Sequence, residues 1–138
     1  MESAGVIVLD THALLWMDRD DPALGAASRR LIEEAWRAGQ VAVSTISFWE
    51  TAMLALSGRI VLPLPASEWR AELLQAGIRE IALDGRIGIL ATQLENLHRD
   101  PADRFIVATS LQHRATLITA DQSMLAWESE LPRQDART

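Results

Sequence analysis

The chain contains no cysteine and no lysine. Without cysteine there can be no disulfide, no thiolate metal site and no thiol nucleophile. Without lysine, chemistry that needs a side-chain amine is excluded. All 13 basic residues are arginine, which still grips phosphates and carboxylates bidentately. Long apolar runs are missing as well. "VIVL" (6–9) and "AMLAL" (52–56) fall far short of the roughly 20 residues that cross a bilayer. Residues 1–9 lack the basic start and extended apolar stretch of a secretory leader, so a cytoplasmic protein without membrane contact is expected. Positive charge is also scarce. The formal net charge is −6, the wrong sign for a protein that coats nucleic acid through its phosphates.

A sizeable core is present. With 138 residues, 49% of them hydrophobic, the chain suits a single folded domain. Strands are expected at "VIVL" (6–9), "VAV" (41–43), "REIAL" (79–83) and "TLIT" (116–119). Helices are expected over 11–17, 26–39, 45–58, 66–77, 88–97, 101–113 and 121–128, with "RIVLPLP" (59–65) extended between two of them. Strands alternating with helices predict an α/β fold: a parallel sheet with helices on both faces. The expected domain covers 1–127. The polar tail, 128–138, is expected to fray.

The acids carry the chemistry. Asp100 precedes Pro101 at the start of an apolar helix, where N-capping explains it. Asp10 follows the first strand and Asp121 lies just beyond "TLIT"; capping accounts for each taken singly. Both also fall at the carboxyl ends of strands, where open α/β sheets bind ligands. Glu50 is different, because it lies inside a helix. Ile46, Trp49, Met53 and Leu54 are its neighbours at helical spacing, and a carboxylate on such a face is costly unless paired or metal-bound; the alternative is a salt bridge to an arginine or an edge position that reaches water. Asp103 shares its face with Ile106 and Val107. Four acids, Asp10, Glu50, Asp103 and Asp121, can thus meet in one place. Together they would repel and raise one another's pKa. A divalent metal is the natural counter-charge, and an all-carboxylate set favours magnesium or manganese. Such a site suits phosphoryl chemistry.

The stretches "VLDTHALLW" (8–16), "VSTISFWETAM" (43–53), "GRIVLP" (58–63), "LHRDPADRFIVATS" (97–110) and "LITAD" (117–121) resemble the PIN-domain family. They are particularly similar to the VapC-like toxins of bacterial toxin–antitoxin pairs. No single motif is specific, but five occur in order across nearly the whole chain. The resemblance implies a three-layer α/β/α fold with a parallel sheet of order 3-2-1-4-5. It implies a metal-dependent endoribonuclease whose acidic quartet falls on Asp10, Glu50, Asp103 and Asp121. These would hold one or two magnesium or manganese ions and hydrolyse RNA in line, leaving a 5′-phosphate and a 3′-hydroxyl. It further implies a cognate antitoxin and a homodimer. Thr11 and Thr119 match small hydroxyl residues beside the family's acids and are candidates to orient them; a local turn or strand hydroxyl is the plainer reading. Asp100 is a candidate outer ligand, with capping preferred. Arg104 and His98 are candidate contacts to RNA phosphate, His98 being read mainly as an ordinary loop histidine. The five tryptophans are expected in the core or at an interface.

Other α/β enzymes with an aspartate after the first strand fit less well. A dehalogenase-type phosphatase wants a second aspartate where His12 stands, and a receiver domain wants a lysine. A dinucleotide-binding domain wants a glycine-rich turn that "DTHALLW" is not. The alternative from another class is a PIN-fold module that binds RNA or protein with little catalysis.

Overall fold

The computed structural model describes residues 5–138; residues 1–4, part of the stretch read as lacking a leader, lie outside it. Five strands form one sheet: β1 (Ile7–Leu9), β2 (Val41–Ser44), β3 (Arg79–Ile81), β4 (Thr116–Thr119) and β5 (Arg133–Asp135). Their order is β3-β2-β1-β4-β5, and every pairing is parallel. Seven helices connect and cover them: α1 (Thr11–Arg19), α2 (Ala26–Arg37), α3 (Thr45–Leu56), α4 (Ala66–Ala76), α5 (Gly85–Thr92), α6 (Pro101–Gln112) and α7 (Gln122–Ala126). This is the expected three-layer α/β/α arrangement.

The layers follow from alternation along the central strands. Ile7, Leu9, Val41, Val43 and Ile118 face α1, α2 and α4, packing on Leu14, Ile32, Trp69 and Leu73. Val8, Ala42 and Leu117 face the other way, onto Ile87 of α5 and Ile106 and Val107 of α6. Strands buried on both faces read as unbroken apolar runs, as "VIVL" does. Several helix starts are set by side chains. Asp10, Ser44, Asp84, Asp100 and Asp121 each accept a backbone N–H in the first turn, replacing hydrogen bonds the helix cannot supply. Gly77, at φ 116°, ends α4 in the left-handed conformation open to glycine.

Two expectations need correction. Helix α5 covers Gly85–Thr92 rather than 88–97, because Asp84 caps it by accepting from Ile87 N at 3.0 Å. The segment after it is held by Arg104, whose guanidinium donates to the carbonyls of Ala91, Leu94, Leu97 and His98. The tail is not frayed. Arg133–Asp135 form β5 against β4, and Leu131 and Ala136 are buried. Its polar residues bond to main chain. Arg133 donates to the carbonyls of Met124, Trp127, Ser129 and Leu131, so polarity here marks a clamp rather than solvation.

Candidate metal centre

In the order 3-2-1-4-5, the connections from β1 run to one side and the later strands lie on the other. A crevice therefore opens at the carboxyl ends of β1 and β4, where open α/β sheets place ligands. Asp10 leaves β1 and Asp121 follows β4. Glu50 reaches in from α3, and Asp103 from the first turn of α6. All four line one cleft of about 300 Å³, with Thr11, His12, Trp16, Asp100, Ala120 and Arg137.

Asp10 caps a helix and lines the cleft at once. Its Oδ1 accepts from Ala13 N at 2.8 Å and its Oδ2 from Thr119 Oγ1 at 2.5 Å. The Thr119 oxygen also accepts from Asp121 N at 3.0 Å, so one hydroxyl ties the two acids together. Asp121 Oδ1 caps α7 by accepting from Met124 N at 2.9 Å. Glu50 Oε1 accepts from Thr11 Oγ1 at 2.5 Å. Ser47 Oγ lies 3.1 Å from the same hydroxyl. A carboxylate can only accept, so the Thr11 proton points at Glu50 and Ser47 donates to Thr11. Each threonine thus donates to an acid from another segment, Thr11 to Glu50 and Thr119 to Asp10. Asp100 caps α6 by accepting from Ala102 N at 3.0 Å.

Asp103 is unlike Asp10 and Glu50. Its neighbours Ile106 and Val107 are fully buried, and among the described residues no donor reaches its carboxylate within hydrogen-bond geometry. Burial pushes its carboxyl up to about 7, with Asp100, Asp121, Glu50 and Asp10 adding repulsion in that order. Burial also raises the Asp10 carboxyl; the Thr119 and Ala13 hydrogen bonds oppose this, and Glu50 adds a little to it.

His98 was read mainly as an ordinary loop residue, and the structure places it elsewhere. Its Nε2 lies 3.4 Å from Asp103 Oδ2 and 3.9 Å from Asp121 Oδ1. That nitrogen is buried and has no hydrogen-bond partner. His98, Asp103 and Asp121 offer ligand atoms within 4.8 Å of one another, a group able to hold a divalent metal ion. The orphaned nitrogen fits such an ion, since a buried polar atom without a partner is costly. One imidazole beside two carboxylates makes a mixed nitrogen and oxygen donor set rather than the purely oxygen set expected from the sequence. The sequence signal was at hand: His98 stands two residues before the capping Asp100.

Two expectations are corrected here. Arg104 makes four main-chain hydrogen bonds, so it is a clamp for the loop carrying His98 rather than a phosphate contact. The apolar face assigned to Glu50 is only partly buried: Trp49 and Met53 are 56% and 47% exposed. Glu50 is placed by the cleft and by Thr11, not by an apolar environment. The tryptophans divide, with Trp69 buried, Trp16, Trp36 and Trp127 packed against the core, and Trp49 in solvent.

A parallel sheet of this order, with acids converging at its switch point, defines the PIN class of α/β proteins. The chain belongs to the PIN domain family, which matches residues 7–126. It is 32% identical over 119 residues to "Ribonuclease VapC22" of Mycobacterium tuberculosis (strain ATCC 25618 / H37Rv), covering 86% of this chain and 88% of that protein. Its fold is similar to that of DNA-bound VapBC from Salmonella typhimurium (TM-score 0.69, 12% identity, 95% of this chain and 98% of that one). It is also similar to FitAcB from Neisseria gonorrhoeae (TM-score 0.61, 22% identity, 95% and 98%). The chain therefore resembles a VapC ribonuclease in sequence, and the VapBC and FitAcB structures in fold.

Proposed function

We propose that the chain is a metal-dependent endoribonuclease, the toxin of a toxin–antitoxin pair, hydrolysing RNA phosphodiesters to a 5′-phosphate and a 3′-hydroxyl. One observation carries this reading: Asp10, Glu50, Asp103 and Asp121 line a single cleft at the switch point of the sheet, with the partnerless His98 nitrogen against two of them. These residues would hold one or two magnesium or manganese ions. A divalent cation in such a site supplies positive charge for the phosphate oxygens and lowers the pKa of water. The chain's own groups prepare the place. Thr119 and Thr11 fix the Asp10 and Glu50 carboxylates before any ligand arrives, so their orientation need not be acquired during reaction. Arg104 fixes the loop that presents His98.

The relative named a ribonuclease and the toxin–antitoxin complexes of similar fold support the toxin reading. An antitoxin that inserts an arginine among the acids would substitute for the cation charge with bidentate hydrogen bonds. A homodimer and a cytoplasmic location belong to the same reading. Among the described residues no helix is long and apolar enough to cross a membrane.

The test is cleavage of a mixed RNA pool by purified protein with manganese and with EDTA, followed by end-group analysis. Metal-dependent fragments with 5′-phosphates are expected. Cleavage that persists in EDTA, or 2′,3′-cyclic ends, would refute the mechanism.

A further inference from the structure

We propose that Arg137 is a substrate-binding residue that grips an RNA phosphate at the rim of the acidic cleft. The proposal rests on the ribonuclease reading above and adds a residue beyond the 7–126 stretch that the PIN family matches.

A phosphodiester approaching four carboxylates is repelled unless cations offset their charge. Among the described residues, Arg137 is the only arginine lining the cleft. Among those residues it forms no ion pair with any of the acids, whereas Arg19, Arg29 and Arg70 are paired with Asp21, Asp20 and Glu80. Its Nη1 donates to Ala120 O at 2.7 Å, and its guanidinium carbon lies 5.4 Å from the centre of the Trp16 ring. That carbonyl and that ring fix the plane of the fork. Its Nε and Nη2 donate to no described residue, whereas the guanidinium of Arg104 is committed to main-chain carbonyls. A planar fork with spare donors, held beside a phosphodiester-cleaving site, is suited to a phosphate.

The backbone beneath it is anchored. Ala136 is buried, donates to Thr119 O at 2.9 Å and accepts from Gly25 N at 2.8 Å. Arg137 N donates to Asp135 Oδ1 at 2.9 Å. A Cβ at Gly25 would overlap the Arg137 carbonyl, so glycine there lets the last residues lie against the start of α2. Strand β5 thereby has a role at the site: it carries an arginine to the cleft. A guanidinium on a phosphate reads no base, so the contact proposed for Arg137 is to the RNA backbone, whatever its sequence.

The experiment measures manganese-dependent cleavage of a labelled single-stranded RNA by wild type, Arg137→Gln and Arg137→Lys. Salt is varied between about 50 and 200 mM, where phosphate contacts show most clearly. Melting curves with and without manganese accompany the kinetics. Arg137→Gln is expected to raise KM about tenfold, the worth of one charged hydrogen-bonded contact, with kcat within about twofold. The slope of log(kcat/KM) against log[salt] should become shallower by about 0.7, the value for one single-strand phosphate. Arg137→Lys should recover most of that slope, and the manganese-induced rise in Tm should be unchanged in both variants. Unchanged KM and slope in Arg137→Gln beside an active wild type would overturn the phosphate contact and leave the ribonuclease reading standing. A lost manganese shift would overturn it too, by showing that Arg137 acts through Ala120 on the neighbouring Asp121. So would an Arg137→Lys variant as impaired as Arg137→Gln with a lowered Tm, which marks a purely structural arginine. A wild type that cleaves no RNA would remove the ribonuclease reading and this proposal with it.

Discussion

Asp10 and Glu50 each receive a hydroxyl proton, from Thr119 and Thr11. Across the same cleft Asp103 receives none and faces the partnerless Nε2 of His98. The first pair is satisfied within the protein, so its carboxylates keep one orientation whatever is bound. The second side is completed only when something positive enters. A half-buried carboxyl pushed up to about 7 and an orphaned imidazole nitrogen are both unfavourable in isolation, and one cation relieves both. The cleft thus has a preorganised half and a half whose stability depends on its ligand.

Substitutions on the ligand-dependent half should have the largest effects. Asp103→Asn removes a negative oxygen from the place where the cation is expected. RNA cleavage with manganese should fall by at least about a hundredfold, while circular dichroism stays that of a folded protein. Wild-type activity in this variant would leave Asp103 as a first-turn acid and nothing more. Next in size is His98→Ala. If His98 is a ligand, the manganese concentration giving half of the maximal Tm rise should increase about tenfold or more. If it is only a loop residue, the curve should not move.

The preorganised half responds in stability rather than in metal affinity. Thr119→Val removes the donor to Asp10 and the acceptor of Asp121 N while keeping the shape of the side chain. A buried group left without its partner costs about 1–3 kcal/mol, so chemical denaturation in EDTA should show a lowered midpoint. A variant as stable as wild type would mean that Asp10 finds another donor and that this half is less fixed than its geometry implies.

The difference between the halves also bears on what could be read without coordinates. The first four strands and the four acids were legible because they rest on local signals, β-branched runs and acids at strand ends or inside a helix, whereas the strand order came from the PIN resemblance. The meeting of the acids in one cleft came from topology, which the alternation of elements and the PIN resemblance supplied. His98 was underrated because a loop histidine carries no periodicity; only the Arg104 clamp on the carbonyls of Ala91, Leu94, Leu97 and His98 places it. Arg104 itself was misassigned because an arginine bound to main chain and one reaching for phosphate look alike in sequence. The tail was misread for the same reason. "PRQDART" has strand-poor composition, yet Arg133 and buried Ala136 seat it against β4, and pairing with a neighbour overrides intrinsic preference.

The smallest effect should come from Asp100, and it separates charge from ligation. Asp100 caps α6 and is the largest electrostatic contributor, after burial, to the raised pKa of Asp103. Asparagine caps as well as aspartate, so Asp100→Asn should keep its fold and most of its activity. Its signature is in pH. The Asp103 carboxyl, at about 7 in the folded protein against an ordinary value of 3.8, binds its proton more tightly when folded. Its contribution to stability is therefore fully present below pH 3.8 and is lost as pH rises through about 7. In EDTA, the wild-type Tm should lose this contribution progressively between pH 3.8 and about 7 and then level off. Asp103→Asn should lack it. Asp100→Asn should show a reduced version, because one repelling charge is gone and the folded pKa falls. With manganese bound the trend should reverse, since the cation favours the ionised carboxylate and competes with protons. Equal pH dependence of Tm in EDTA for wild type, Asp100→Asn and Asp103→Asn would mean that Asp103 is already ionised and solvated without a cation, and the contrast between the two halves of the cleft would be lost.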